Sequence, residues 1–287
     1  MIRLRFLIPM MSLGMLAVLP VARAESSTGS VRSETLVLEG DGEKIEGILY
    51  QPDDDGKTYP TVILCHGFGG NYSFLNKRIA QELARRGYAA YAFNFRNPDT
   101  RIMLNTSPLT EAKTLNIVID RIKQFPWVDP DALYLLGESQ GGFVSAYVAA
   151  QRTAKQDDIR ALILFYPAFV LQDDARARNP HWQDDGYQFP ETENVMGNQI
   201  SGMYSRDALS FDIYEIIPAY QRDVLIIHGT KDPIVPLAYS ERAAKVYPHA
   251  ELKIIQDAGH GFYSDNDFEI AVKESIDFLN AHRGSGR

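Results

Sequence analysis

The chain has 287 residues, of which 45% are hydrophobic and 23% are charged, and its formal net charge at pH 7 is −8. That length and apolar content suit one globular domain with a full core. The acidic balance argues against nucleic acid and anionic membrane surfaces as partners. The single cysteine, Cys65, excludes an internal disulfide, and no cluster of cysteine and histidine has the spacing of a metal site. We therefore expect neither a metal nor another cofactor.

Residues 1–24 have the pattern of a secretory signal peptide. A short basic start leads into an apolar stretch, residues 6–21, which is followed by a small-x-small cleavage site ending at Ala24. The apolar stretch is short for a membrane span, and an uncleaved anchor is the alternative. We expect export to the periplasm or the medium, with no stable membrane insertion after cleavage. Residues 25–34 predict a flexible lead into a folded domain over residues 35–287.

Short apolar runs alternate with helical periodicities from residue 35 onward. The first two runs, residues 35–39 and 44–50, flank a Gly-Asp-Gly turn and predict a β-hairpin. Further strands are expected at 61–65, 88–95, 132–136, 161–166, 224–227 and 252–255, and helices at 73–86, 109–125, 143–150, 238–247 and 268–279. Strands that alternate with helices predict an α/β fold, in which helices cover both faces of a mostly parallel sheet.

One segment, residues 168–217, is much longer than a connection between a strand and a helix needs to be. It is rich in aromatic and polar residues, and connections of this length in compact domains are usually lids or binding insertions. A solvated surface excursion is the alternative. We expect a lid that supplies an apolar wall for the substrate. The candidate substrate contacts are Phe169, Trp182, Tyr187 and Tyr204 within the segment and Phe262 outside it.

The run at residues 137–142 reads Gly-Glu-Ser-Gln-Gly-Gly and fits the pattern of a nucleophile elbow. An apolar run precedes it and a helical run follows it, so the context is strand, sharp turn, helix. A serine on such a turn projects its hydroxyl clear of the backbone, and Gly137 and Gly141 have no Cβ to collide with neighbouring elements. Ser139 is therefore the predicted nucleophile. The alternative is an ordinary turn whose serine caps the helix.

A serine hydroxyl is a weak nucleophile at neutral pH and needs a base that a carboxylate orients. Asp232 follows the strand predicted at 224–227, and His260 follows the next strand, so the order along the chain is nucleophile, acid, base. Asp257 lies three residues before His260 and is the alternative acid. The predicted catalytic triad is Ser139, Asp232 and His260.

Three other histidines have structural or surface interpretations. His228 directly follows the strand predicted at 224–227, and its side chain is expected to form a structural hydrogen bond near the end of that strand. His249 follows a proline in a polar turn and is expected to be exposed. His181 lies in the predicted lid, where contact with substrate and a surface position are both open.

Two backbone amides should stabilise the negative charge that develops on the carbonyl oxygen of an ester. One belongs to Gln140, directly after the predicted nucleophile. The other belongs to the loop after residues 61–65, which reads His-Gly-Phe-Gly-Gly-Asn at residues 66–71, and Phe68 is the expected donor. Phosphate binding by these glycines is not indicated, because neither the dinucleotide nor the P-loop spacing is present.

These motifs together resemble the α/β-hydrolase superfamily and, within it, the bacterial cinnamoyl/feruloyl esterase group. The resemblance covers nearly all of the chain after the predicted signal peptide and rests on residues 66–71, 137–142, 226–235 and 258–262. It implies an α/β-hydrolase fold with an eight-stranded sheet and a lid inserted after the sixth strand. It also implies a triad of Ser139, Asp232 and His260, and oxyanion donors at Phe68 and Gln140.

Two departures from the esterase group concern the walls of the pocket. Many members carry a Gly-His-Gly-like turn after the strand that matches residues 89–95, whereas this chain reads Phe-Arg-Asn-Pro-Asp-Thr-Arg at 95–101. The middle of the lid also matches the group too weakly to transfer any contact with an aromatic acid. We therefore expect that part of the pocket to differ from the group.

The sequence thus predicts an exported serine carboxylesterase that needs no cofactor and acts on a small-molecule or oligosaccharide ester. Feruloyl or cinnamoyl esters of plant cell-wall sugars are the preferred substrates, because export and an aromatic lid suit them. A general short-chain carboxylesterase, or a hydrolase of acyl-peptides or lipid esters, is the alternative within enzymes. A non-catalytic ligand-binding protein with the same fold is the alternative of another class.

Overall fold

The computed structural model describes residues 30–53, 57–72, 74–95, 102–153 and 159–283. The predicted signal peptide, residues 1–24, lies outside these ranges. Within them, no helix combines the length and the hydrophobicity that a membrane crossing needs.

Each strand and helix predicted from the sequence has a counterpart in the structure. The strands are β1 Val31–Gly40, β2 Glu43–Pro52, β3 Tyr59–Cys65, β4 Ala89–Phe93, β5 Ile102–Met103, β6 Val128–Glu138, β7 Ala161–Phe165, β8 Thr192–Val195, β9 Asn198–Ser201, β10 Val224–Gly229 and β11 Ala250–Ile255. The helices are α1 Leu75–Arg85, α2 Pro108–Ile122, α3 Gln140–Thr153, α4 Leu171–Arg178, α5 Met203–Ala208, α6 Ile213–Ile216, α7 Leu237–Val246 and α8 Asp265–Ala281. A 3₁₀ turn, Ile217–Ala219, follows α6.

Eight of the strands form one sheet in the order β1-β2-β4-β3-β6-β7-β10-β11. The pairs β1-β2 and β2-β4 are antiparallel, and every other neighbouring pair in this sheet is parallel. The carboxyl ends of β3, β6, β10 and β11 therefore lie at one edge, which is where open α/β sheets build their sites. The predicted α/β fold with a mostly parallel sheet is confirmed.

Helices cover both faces of the sheet. Ile63 and Cys65 of β3 pack into a cluster with α2, α3 and α7, whereas Val62 and Leu64 pack into a second cluster with α1 and α8. Successive side chains of a strand point to opposite faces, and here both faces are buried. This is why the central strands appear in the sequence as continuous apolar runs.

The amino-terminal hairpin begins earlier than predicted. β1 starts at Val31, which pairs with Pro52, so part of the segment predicted as a flexible lead is a strand. Residues 31–34 lack a buried apolar face, and the backbone ladder that continues in register from the turn extends the strand through them. The turn has positive φ at Asp41 (50°) and Gly42 (79°), as a two-residue type I′ turn requires.

The predicted lid, residues 168–217, follows β7, the sixth strand of the main sheet in chain order. It contains α4, α5, α6 and the β8-β9 hairpin, none of which the sequence predicts. Strand β9 also pairs in parallel with β5, so the three-stranded sheet β5-β9-β8 joins the lid to the segment before α2.

The lid packs onto the domain and is not a solvated excursion. Phe169 is 1% exposed, and its ring packs against Phe143 of α3 and against Tyr214. The buried side chain of Gln172 on α4 makes three hydrogen bonds to the backbone around α5 and α6. Apolar packing on α3 and this polar junction together hold the lid elements over one end of the sheet.

Candidate active site

Ser139 lies at the turn between β6 and α3 and has a positive φ of 51°. Residues other than glycine rarely adopt this conformation, which costs free energy that the surroundings must offset. The Ser139 amide donates to the carbonyl of Phe165 at 2.9 Å. The Ser139 carbonyl accepts from the amides of Phe143 at 3.1 Å and Ala168 at 2.9 Å. These three backbone bonds hold the strained turn.

Two glycines allow the backbones behind Ser139 to approach each other. A Cβ on Gly137 would overlap the carbonyl of Gly141, and a Cβ on Gly141 would overlap the carbonyl of Cys65. The sequence predicts a need for small residues at both positions, and the structure identifies the atoms that a larger residue would strike.

The side chains of Ser139, His260 and Asp232 form a hydrogen-bonded chain. His260 Nε2 lies 3.1 Å from Ser139 Oγ, and His260 Nδ1 lies 2.7 Å from Asp232 Oδ2. With the Nδ1 proton donated to the carboxylate, the Nε2 lone pair is free to accept the serine proton. Ser139 Oγ therefore points to an imidazole, which is the arrangement predicted for a nucleophile and its base.

The Asp232 carboxylate is buried and fully hydrogen-bonded. Its Oδ1 accepts from the amides of Ile234 and Val235, both at 2.8 Å, and its Oδ2 lies 3.2 Å from His228 Nε2. Burial alone would raise the pKa of Asp232, but the hydrogen bonds from His228, His260 and the Val235 amide outweigh it and hold the pKa well below its ordinary value. Asp232 is thus an anion over the working range of pH.

The alternative acid, Asp257, makes neither a hydrogen bond nor an ion pair with His260. Its exposed carboxylate pairs with Lys231 Nζ at 3.1 Å and accepts from Gln256. The interaction with Lys231 lowers the pKa of Asp257. Asp257 therefore belongs to a surface ion pair at the base of the loop that carries His260.

None of the three other histidines discussed above bonds to Ser139, although His228 contacts the Asp232 carboxylate. The ring of His228 is buried, with Nδ1 2.7 Å from Ser240 Oγ and Nε2 2.9 Å from the carbonyl of Val235, so it braces the loop that carries Asp232. His249 is exposed, as expected. His181 is also exposed and pairs with the exposed carboxylate of Asp184 at 3.0 Å.

The loop that carries Phe68 is fixed by His66. The His66 Nδ1 proton is donated to the carbonyl of Gly67 at 2.8 Å, and Nε2 accepts from the Phe95 amide at 3.0 Å. Burial lowers the pKa of His66 to about 4, so the ring stays neutral and keeps the lone pair that accepts from Phe95. The loop in turn touches the nucleophile, because a Cβ on Gly67 would lie only 3.1 Å from Ser139 Cβ.

The amides of Phe68 and Gln140 are the predicted oxyanion donors. Both residues line the cavity beside Ser139. Neither amide donates a hydrogen bond to any other residue that the structure describes. Two backbone donors beside a nucleophile, without protein acceptors in the described ranges, can accept the charge of an oxyanion.

The ring of Tyr166 contacts the imidazole of His260, and Glu138 holds the Tyr166 hydroxyl. The ring centroids of Tyr166 and His260 lie 4.4 Å apart, and Tyr166 OH donates to Glu138 Oε2 at 3.0 Å. Burial raises the pKa of Glu138 to about 7 and holds the pKa of Tyr166 well above its ordinary value. Tyr166 thus stays neutral, and its ring, tilted 53° to that of His260, restricts the imidazole. The sequence indicates Tyr166 only as the end of a strand.

A cavity lies between Ser139 and the lid; it encloses about 50 Å³, or about 440 Å³ when the solvent-open space at its mouth is counted. Its walls are mostly apolar, with two ionisable side chains on one helix, as in most small-molecule sites. The lining residues are Phe68, Ser139, Gln140, Ala168, Val170, Leu171, Asp174, Arg178, Val195, Met196, Tyr204, Ile234 and Val235.

Of the five aromatic residues predicted to contact substrate, Tyr204 lines the cavity and the other four do not. Phe169 and Phe262 are each 1% exposed. Phe262 packs on Phe165 and Tyr166, as Phe169 packs on α3, so neither can reach a ligand without repacking the core. The assignment of these two residues to substrate binding is wrong.

Trp182 and Tyr187 follow α4 in the lid and are not among the residues that line the cavity. Trp182 packs partly buried against the main core. Tyr187 OH donates to Asn179 Oδ1 at 2.7 Å, and its ring meets Phe189 edge to face. In the structure these side chains pack within the lid and against the core, and their contact with substrate stays a prediction.

Two polar side chains of the cavity wall, Asp174 and Arg178, are not predicted by the sequence. They lie four residues apart on α4 and therefore share one face of that helix. Arg178 donates to Glu193 Oε2 at 2.9 Å and to Ser205 Oγ at 3.1 Å, which orients its guanidinium. Burial raises the pKa of Asp174. A helix prediction over residues 171–178 would have revealed the pair, but that segment is mostly polar.

The described residues contain no group of three or more histidine, cysteine or acidic side chains that could hold a metal ion. The single cysteine is buried, and burial raises the pKa of the Cys65 thiol to about 12, so it is not a nucleophile at neutral pH.

A family model described as alpha/beta hydrolase matches residues 62–272, which is most of the chain. The chain belongs to the alpha/beta hydrolase family. The matched residues of this alpha/beta hydrolase include the elbow at Ser139 and the loops that carry Asp232 and His260. The predicted family is confirmed.

Two solved structures of one bacterial protein are similar to this alpha/beta hydrolase. Est1E from Butyrivibrio proteoclasticus superposes with a TM-score of 0.75 at 24% identity, over 86% of this chain and 98% of that chain. A second structure of Est1E, with ferulic acid bound, superposes with a TM-score of 0.74 at 23% identity and the same coverage of both chains. At these identities the likeness shows the fold.

Curated relatives match shorter stretches of this alpha/beta hydrolase. Hydrolase LUC6 from Fusarium sp is 29% identical over 171 residues, which cover 55% of this chain and 39% of that protein. Caffeoylshikimate esterase from Arabidopsis thaliana is 26% identical over 131 residues, which cover 44% of this chain and 39% of that protein. The chain thus spans less than half the length of these two relatives.

Proposed function

We propose that this alpha/beta hydrolase is a serine carboxylesterase that works through an acyl-enzyme. The observation that carries the proposal is the hydrogen-bonded chain from Asp232 through His260 to Ser139. Beside it lie the amides of Phe68 and Gln140, which donate to no acceptor within the described ranges. Nucleophile, base, orienting carboxylate and oxyanion donors are the parts that acyl transfer needs.

The proposed reaction has two halves. Ser139 Oγ attacks the ester carbonyl while His260 Nε2 takes its proton, and the amides of Phe68 and Gln140 bind the oxyanion of the tetrahedral intermediate. His260 then gives the proton to the leaving alcohol oxygen as the carbon–oxygen bond breaks. Water repeats the sequence on the acyl-enzyme, which releases the acid and restores Ser139. Asp232 keeps His260 in the tautomer that this exchange requires.

For the substrate we propose esters of aromatic acids, with feruloyl or cinnamoyl esters of plant cell-wall sugars as the best candidates. The apolar cavity with Phe68 and Tyr204 in its wall supports an aromatic acyl group, and Asp174 and Arg178 supply polar groups that could orient it. Ferulic acid in Est1E and the name of the caffeoylshikimate esterase point to the same chemistry in similar proteins. The predicted signal over residues 1–24 supports export to the compartment in which such esters occur.

A panel of substrates tests both levels of the proposal. The parent enzyme should hydrolyse p-nitrophenyl acetate and methyl ferulate, with the higher kcat/KM on methyl ferulate, and Ser139→Ala should hydrolyse neither. Alternatively, the enzyme hydrolyses short p-nitrophenyl esters, a triglyceride or an aminoacyl amide but not methyl ferulate. That result would reject the proposed aromatic acyl group and indicate a different hydrolase activity. No turnover at all, with no labelling of Ser139 by a fluorophosphonate, would leave a ligand-binding protein.

A further inference from the structure

The side chain of Gln140 is held from two sides in the core. Its Nε2 donates to Glu111 Oε2 at 2.8 Å, and its Oε1 accepts from Tyr204 OH at 2.5 Å. All three residues are buried: Gln140 is 2% exposed, Glu111 6% and Tyr204 3%. Glu111 lies on α2 and Tyr204 on α5 of the lid. A buried polar chain therefore runs from the body of the domain through Gln140 into the lid.

This chain also reaches the second oxyanion residue. The ring of Tyr204 meets the ring of Phe68 edge to face, with centroids 5.9 Å apart. One lid residue thus contacts both residues whose amides are the proposed donors. Buried polar groups that lose a partner keep their desolvation penalty, so such a network tolerates little displacement.

We propose that Tyr204 and Glu111 are positioning residues, which hold the Gln140 amide where the oxyanion forms. The inference rests on the proposed function and deepens it: a docked lid is needed for turnover even of esters too small to touch the lid. The sequence predicts only that the lid forms a wall for the substrate. Through Tyr204, the lid also positions an oxyanion donor.

Another hydrogen bond between lid and body supplies a matched control. Tyr239 of α7 donates its hydroxyl proton to Asp173 Oδ2 of the lid helix α4 at 2.7 Å. Neither residue lines the cavity or contacts Gln140. Tyr239→Phe therefore removes one tyrosine hydroxyl that links lid to body, as Tyr204→Phe does, but at a site away from the oxyanion donors.

Glu111 permits a test by a conservative variant. Burial raises the pKa of Glu111 to about 8, so the side chain is largely a neutral acid at pH 7. Glu111→Gln keeps a neutral side chain of the same shape whose oxygen can still accept from Gln140 Nε2. Glu111→Leu fills similar space and leaves that donor without an acceptor.

The test measures kcat and KM on p-nitrophenyl acetate and the affinity for a trifluoromethyl ketone, which forms a tetrahedral oxyanion on the nucleophile. Losing a whole oxyanion donor costs roughly 10²–10³ in kcat, so loss of its positioning should cost about ten-fold. We expect that loss in Tyr204→Phe and Glu111→Leu, with KM within about two-fold and an equal loss of ketone affinity. Glu111→Gln and Tyr239→Phe should stay within about two-fold of the parent.

Equal losses in Tyr204→Phe and Tyr239→Phe, or changes in KM alone, would overturn the inference. A parent enzyme without esterase activity and without fluorophosphonate labelling of Ser139 would instead reject the proposed function. In that case NMR tests the positioning of Gln140, through its backbone amide signal in protein labelled with ¹⁵N at the glutamine amides. That signal should shift in Tyr204→Phe and Glu111→Leu and stay in place in Tyr239→Phe, and an unmoved signal in all three would overturn the inference.

Discussion

The loops at the carboxyl edge of the sheet and the lid above them are held by different interactions. At the edge, for example, the Asp232 carboxylate accepts hydrogen bonds from two backbone amides and lies within hydrogen-bonding distance of two imidazoles. The lid is held mainly by rings such as Phe169, which packs on Phe143 of α3. Hydrogen-bonded networks depend on geometry, whereas apolar packing accepts substitutions that keep volume. Polar substitutions at the edge should therefore abolish the chemistry, and substitutions at apolar positions of the lid should change which substrates are used.

The largest expected effect is the loss of the nucleophile or its base. Ser139→Ala and His260→Ala should each lower kcat on p-nitrophenyl acetate by roughly 10⁴-fold or more, and the double variant should lose little more, because the residues act as a unit. Single-turnover assays on variants shown to be folded by circular dichroism measure this. Losses that multiply in the double variant would mean that the two residues do not share one mechanism.

The orienting carboxylate should come next. Asp232→Asn should lower kcat by about 10³–10⁴-fold, because an amide cannot hold His260 in the required tautomer. Asp257→Asn is the matched control at the same loop cluster and should cost less than about two-fold, since its ion pair with Lys231 is exposed. A larger loss in Asp257→Asn than in Asp232→Asn would reverse the assignment of the acid.

A substitution in the cavity wall should affect substrates unequally. Val195→Trp, on β8 of the lid, adds a large ring to the cavity and should lower kcat/KM for methyl ferulate by about ten-fold or more. Turnover of p-nitrophenyl acetate should change by less than about three-fold, because the acetyl group needs little of that space. Thr192→Trp, on the same strand but outside the lining, is the control. Equal losses on both esters from Val195→Trp would show damage to the scaffold.

The smallest effect concerns stability and pH at Glu111. Its pKa is raised by burial to about 8 in the fold, so the neutral acid is favoured there, and its contribution to stability is present at low pH and lost as pH rises toward 8. The Tm advantage of the parent over Glu111→Gln should therefore decrease as the pH is raised from about 5 to about 9. Each unit of pKa shift is worth about 1.4 kcal/mol, which predicts a fall of several degrees. A difference that is constant with pH would mean that Glu111 is ionised throughout.

The catalytic edge is predictable from the sequence because its chemistry restricts residue types locally. Ser139 needs a sharp turn with small neighbours, and Asp232 and His260 each follow an apolar strand. The carboxyl ends of parallel strands lie at one edge of the sheet, so three side chains that follow such strands are expected near one another. The sequence leaves Asp257 as an alternative acid. The structure decides between the two, because Asp232 lies beside His260 whereas Asp257 pairs with Lys231.

The lid is less predictable for two physical reasons. Its helix α4 carries charged residues on most of its surface, so no apolar periodicity reveals Asp174 and Arg178 as neighbours. Its aromatic residues serve packing as well as binding, and a sequence does not separate Phe169 in the core from Tyr204 at the cavity. The bonds of Gln140 join residues 29 and 64 positions away along the chain, and no local pattern connects them.

The most direct test of the proposed esterase is the site of acylation. A rapid-mixing assay with p-nitrophenyl acetate should release one p-nitrophenol per enzyme chain in a burst, if deacylation is the slower step. Peptide mass spectrometry of acid-quenched enzyme should then find the acetyl group on Ser139 and on no other residue, and Ser139→Ala should show neither burst nor acetyl group. Hydrolysis by the parent enzyme with an acetyl group on another side chain, or undiminished turnover by Ser139→Ala, would contradict the mechanism.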